Sequence, residues 1–156
     1  MTDHSMMKLG CIRSAPDPRI PALADVWKVP TEVPDTVDWY SRVPADWGMM
    51  GNDQVGDCTA AAISHAIEQW TAYTDPTPVV MSTDQVISAY SAVSGYVPGD
   101  PATDRGALCA DVLRYWATTG MLTPDGGPDT LTGAASVDPR DLDAVGHALG
   151  ALECDA

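Results

Sequence analysis

Residues 51–70, GNDQVGDCTAAAISHAIEQW, decide how this chain is to be read. A polar turn with two glycines runs into Cys58, and from Asp57 onward Ala60, Ile63, Ala66, Ile67 and Trp70 recur at three- and four-residue steps. That period belongs to an amphipathic helix. The helix is predicted to start at Asp57 and to end near YTDPTP, which puts Cys58 in its first turn. Two readings of Cys58 stand: a nucleophile, or a small residue that merely opens a helix. A helix N-terminus carries about half a positive charge, which favours thiolate, and its free N–H groups point at a developing oxyanion. Asp57 works the other way, because as an N-cap it competes for the same amides and its charge raises a neighbouring thiol pKa. The sequence leaves the balance of the two effects open.

Further helices follow downstream. Ser82 and Gln85 in MSTDQVISAY form a capping box ahead of a helix over residues 83–93, stopped by Gly95 and Pro98. The glycine- and aspartate-rich SGYVPGDPATDRGA leads to a third helix with Leu108, Val112, Tyr115 and Trp116 on its apolar face and Gly120 as its C-terminal stop. Asp138 as N-cap and Pro139 at the first helical position open a fourth, whose buried side is predicted to be Leu142, Val145 and Leu149. Upstream, Pro16, Pro18, Pro21, Pro30, Pro34 and Pro44 forbid long helices and favour an extended strap over the core. Trp39, Trp47, Trp70 and Trp116 are expected as core anchors joining strap to helices, and Cys109, one position off the apolar stripe, as a packing residue.

Composition narrows the functional classes. The 156 residues, 45% hydrophobic, suffice for one globular domain with a core. With 22 acidic residues against 8 basic, the formal charge of −14 repels a phosphate backbone or an anionic membrane surface, so neither nucleic acid nor membrane is an expected partner. No apolar run reaches the roughly 18 residues of a membrane span, and the N-terminus lacks the pattern of a secretory signal. A soluble, cytoplasmic or virion-associated protein is expected. Cys11, Cys58, Cys109 and Cys154 contain no CxxC pair, and His4, His65 and His147 are scattered, so neither a metal site nor a cofactor is expected and the thiols are read as free. PGDPATDRGA lacks the spacing of an EF-hand, which leaves the acidic surplus as a solvated face.

Taken in order, TVDW at 36–39, GNDQVGDCTAAAISHAIE, MSTDQVISAY and DRGALCADVLRYWATTGM resemble the N-terminal half of a papain-like cysteine peptidase over residues 36–136. The form GNDxxGDC is also similar to papain-fold proteins of actinobacteria and their phages. The resemblance implies an α+β fold of which this chain is mostly the helical half, with residues 1–35 as an extended strap and 36–156 as a half-domain truncated before the strand-rich half. It places Cys58 at the nucleophile position. The oxyanion-hole glutamine of the family falls at Asn52 by counting back from Cys58, while Gln54 lies two residues later, and both amides are candidates. The family's disulfide positions fall near Val55 and Thr103, so that bridge is missing, and its aromatic residue after the nucleophile is Thr59.

A papain-like site also needs a histidine base. His65 lies seven residues beyond Cys58, about 10 Å along a helix axis, out of hydrogen-bond reach, and the family pattern gives His147 no role. The resemblance therefore implies a cysteine peptidase or related thiol hydrolase acting on a peptide or protein, with the base outside this stretch and this chain alone inactive. The alternative is a non-catalytic papain-fold structural or binding protein, such as a phage component. Either way the inner helical face is expected to be covered by self-association or a partner.

Overall fold

The computed structural model describes residues 10–12, 15–28, 35–39, 41–43 and 46–151. Pro30, Pro34 and Pro44 of the strap, His4 and Cys154 lie outside the described residues. The fold is α+β in the general sense, with helices around one small antiparallel ribbon. In order it comprises α1 (Leu23–Val26), α2 (Cys58–Thr74), α3 (Thr83–Ser94), a 3-10 turn at Pro101–Thr103, α4 (Cys109–Thr118), β1 (Met121–Leu122), β2 (Pro128–Asp129) and α5 (Leu142–Ala151). The ribbon pairs Met121 with Asp129 and Leu122 with Pro128.

Helices α2, α3 and α4 pack on one another and α3 also contacts β1. The core at their junction holds Ala60, Ile63, Ile67, Val86, Ala89, Tyr90, Val112, Trp116 and Met121. The boundaries follow local chemistry. The Ser82 hydroxyl accepts from Gln85 N–H and the Gln85 side chain accepts from Ser82 N–H, closing the capping box; α3 then ends on Gly95 in the left-handed region. Asp75 ends α2 ahead of Pro76, and Thr119 with Gly120 ends α4.

The described part of the proline-rich strap has a turn at residues 18–20 and the short α1 between irregular stretches, and it is pinned twice. Ile12 N–H donates to Ala107 O at 3.1 Å and Ala107 N–H to Gly10 O at 2.9 Å; farther on, Leu23 N–H donates to Ser136 O and Ser136 N–H to Pro21 O, both at 2.8 Å. Beyond it, Trp39 meets Tyr73 edge-on and gives its indole N–H to Leu149 O, and the Tyr73 hydroxyl donates to Asp38 O.

Four expectations are corrected. Trp70 is not a buried anchor: it is 41% exposed and stacks on Trp116, which is 3% exposed and donates its indole N–H to Asp129. Leu142 and Leu149 are 76% and 61% exposed, because the apolar period of α5 has no described element to cover that side. The helix itself begins at Leu142, since Asp138 is used one turn earlier, accepting from Arg140 N–H while its carbonyl accepts from Asp141 N–H. Cys109 is exposed rather than packed, against the Cys11 thiol.

The tryptophan pair yields a test. Trp116→Ala empties a buried site and is expected to lower the urea unfolding free energy by about 3–5 kcal/mol. Trp70→Ala loses a half-exposed stack, expected at about 1–2 kcal/mol. Equal losses at the two positions would contradict the burial described here.

Candidate functional site

Cys58 is the first residue of α2 and is half-buried. It opens on a cleft of about 450 Å³ between α2 and α4, lined by Thr59, Ala62, Ile63 and Ala66 on one side and Val112, Leu113 and Trp116 on the other. Cys11 from the strap and Cys109 at the head of α4 complete the lining. Apart from the sulfurs the walls are apolar, the character of a pocket for an extended or hydrophobic group.

The mouth of this cleft is held by one carboxylate. Asp104 accepts Gly56 N–H on both oxygens at 3.1 Å and the Tyr90 hydroxyl at 2.6 Å, while the Tyr90 oxygen accepts Gly106 N–H at 2.9 Å. The loop that delivers Cys58 and the loop that opens α4 are thereby tied through the side chain of a buried α3 tyrosine. Burial, and then the bond to Asp104, push the Tyr90 phenol up to about 12, so it stays a neutral donor.

The strap is threaded between these loops, and the close approach requires glycine. A Cβ on Gly10 would fall 1.7 Å from Gly56 O, and one on Gly106, whose φ is +77°, would fall 2.1 Å from Gly10 O. No other residue fits either place. The result is a short parallel pairing of Cys11 with Ala107 beside the head of α2.

The expected capping role of Asp57 is overturned. It stands at the N-cap position but makes no side-chain capping bond; its carboxyl is fully buried, and neither oxygen has a partner among the described residues. Ala60 and Ala61 N–H donate to the Asp57 carbonyl, while the Asp57 side chain leaves the Cys58 and Thr59 amides uncapped. Burial pushes the Asp57 carboxyl up to about 7, and the nearby charges of Asp104 and Asp53 add to the rise. Of the two amide candidates, Asn52 is half-buried with its Oδ1 turned inward and unbonded among the described residues, whereas Gln54 is exposed. Neither described histidine is directed at Cys58. His65 Nε2 lies 3.0 Å from Trp47 O with its ring edge-on to Trp47, and His147 Nδ1 lies 2.6 Å from Asp143 O.

Sequence reasoning missed Asp104, Tyr90, Gly106 and Cys11. The signal for Asp104 and Gly106 lay in DRGA, where an acidic residue and a glycine precede a helix, but the Asp104 partner Gly56 is 48 positions away. Among the described residues no three His, Cys, Asp or Glu side chains converge into a metal set, and no helix is long and apolar enough to cross a membrane.

Fold and site together define an α+β chain built round a cysteine-headed helix flanked by a glycine-gated cleft. Compared with known proteins, it matches no family model, no curated protein and no solved structure.

Asp57 gives a pH prediction with a definite sign. Its folded pKa of about 7 lies above the ordinary 3.8, so between these values the native state binds more protons than the unfolded state. Stability is full below about pH 4, falls as pH rises towards 7, and levels beyond. Asp57→Asn is expected to raise the unfolding free energy at pH 8 by roughly 1–3 kcal/mol and to change it by less than about 0.5 kcal/mol at pH 3.5. An equal effect at both pH values in urea titrations would contradict a buried, titrating Asp57.

Proposed function

We propose that this chain is the helical half of a papain-like thiol hydrolase, with Cys58 as the nucleophile and a peptide or protein as substrate. The single observation that carries the reading is the position of Cys58: first residue of a 17-residue helix, half-buried, at the edge of an apolar cleft. The Cys58 and Thr59 amides, which the Asp57 side chain leaves uncapped, are available to an oxyanion beside the sulfur. Asn52 is the better placed of the two side-chain amides to help, since it is half-buried in the turn that precedes Cys58 whereas Gln54 is exposed. A base is to be supplied from outside the two described histidines, as both are bonded elsewhere.

That same observation favours a second reading, a non-catalytic papain-fold binding protein that has kept the cysteine helix. The two differ in the reactivity of the thiol. Cys109 also heads a helix, but burial and then the adjoining Cys11 thiol push its pKa up. Under the hydrolase reading, iodoacetamide at neutral pH is expected to label Cys58 several-fold faster than Cys109. The Cys58 rate should be unaffected by His65→Ala. Equal or slower labelling of Cys58, followed by mass spectrometry of the two peptides, would discard the nucleophile and leave the binding reading. Loss of Cys58 reactivity in His65→Ala would overturn the assignment of His65 to Trp47.

A further inference from the structure

Cys11 and Cys109 stand 98 positions apart in sequence, yet their sulfurs lie 3.4 Å from one another. The backbone creates this proximity. Cys11 is paired with Ala107 by two hydrogen bonds, and Cys109 follows Ala107 by two residues as the first residue of α4. The strap sits deep enough for the sulfurs to meet because Gly10 and Gly106 lack side chains at the crossing. Both cysteines are exposed, so a small reagent reaches them from solvent. Cys58 lines the same cleft, but the thiol in contact with Cys109 is Cys11.

We propose that Cys11 and Cys109 form a dithiol exchange site for small-molecule disulfides, whose oxidation latches the strap to the head of α4. A thiolate of the pair attacks one sulfur of the disulfide, forming a mixed disulfide and releasing one small thiolate. The second protein thiol, deprotonated, attacks the protein-bound sulfur and expels the other small thiolate. Two protein thiols are oxidised, one small disulfide is reduced to two thiols, and the two protons pass to the released thiolates. The products are a Cys11–Cys109 disulfide and a strap fixed across the mouth of the cleft; excess small thiol reverses the sequence. Two sulfurs in contact without a third ligand suit this exchange better than metal capture, since no metal set forms among the described residues. The inference does not depend on Cys58 being a nucleophile.

The test equilibrates the full chain, and its Cys58→Ala variant, with reduced and oxidised glutathione, followed by acid quenching and peptide mapping. The expected product in both proteins is a peptide pair joined through Cys11 and Cys109. Its formation constant should be at least about tenfold larger in buffer than in concentrated urea, because the fold supplies the effective concentration of one thiol at the other. Phenylarsine oxide, a probe for paired thiols, should bind the reduced chain one to one, lose binding in Cys11→Ser and in Cys109→Ser, and keep it in Cys58→Ala. Linkage through Cys58 or Cys154, glutathione adducts on both cysteines in place of the bridge, or a formation constant unchanged by urea would overturn the proposal. Failure of Cys58 to label rapidly would bear on the hydrolase reading alone.

Discussion

The carboxylate of Asp104 is the constraint on which the rest of the site depends. A loop such as residues 51–57 has few apolar contacts of its own, and an arriving helix does not fix where its first turn points. One charge-assisted bond from Gly56 N–H, shared between both carboxylate oxygens, and one from the Tyr90 hydroxyl hold that loop against the segment that opens α4. Hydrogen bonds to a charged acceptor are each worth roughly 1.5–3 kcal/mol when buried, more than a neutral pair. The same tyrosine oxygen receives Gly106 N–H, so the glycine gate, the strap within it and the head of α2 are set by one group. Tyr90 can serve because it comes from the buried face of α3, whose own ends are fixed by the Ser82–Gln85 box and by Gly95.

Helix α2 departs from an ordinary amphipathic helix. Asp57, Ser64 and Glu68 are spaced seven and four residues apart, which places them on one side, and all three are fully buried with side-chain oxygens unpartnered among the described residues. Burial raises the Glu68 carboxyl as it does that of Asp57. An unmet buried polar group costs about 1–3 kcal/mol, so the helix gives up stability along this face while Ala60, Ile63 and Ile67 recover it against α3 and α4. The head of α2 is thus a place where local rules of stability are broken, with the Asp57 carboxyl buried and the first amides of the helix left without a side-chain cap.

How much could be read beforehand varied with the range of the interaction. The limits of α2, α3 and α4 were legible because each is set within a few residues: the period after Asp57, the pairing of Ser82 with Gln85, the glycines at 95 and 120. Among the described residues of the proline-rich stretch the longest helix is the four-residue α1, in keeping with its prolines. What failed needed tertiary information. The apolar spacing of α5 is genuine, but burial of Leu142 and Leu149 requires a covering surface that no local pattern supplies. Trp70 obeys the period of α2 and still lies at the rim, stacked on Trp116. Asp57 looked like a cap because Asp is a common cap, and only the packing round Gly51 and Asp104 shows the carboxyl turned inward. Of the candidate site, the position of Cys58 at the head of a helix was legible, whereas Asp104, Tyr90 and Cys11 act on partners 48, 16 and 98 positions away.

The most direct measurement of this account is amide hydrogen exchange on Asp104→Ala, resolved to single residues by NMR. Loss of the carboxylate is expected to expose Gly56 and Gly106 N–H together, lowering protection of both by at least about tenfold. The interior amides of α3 and α4 should keep theirs, because the core around Val86, Val112 and Trp116 is untouched. Protection at Gly56 that survives the substitution, or a loss spread evenly over the whole chain, would contradict the claim that one carboxylate sets the geometry round Cys58.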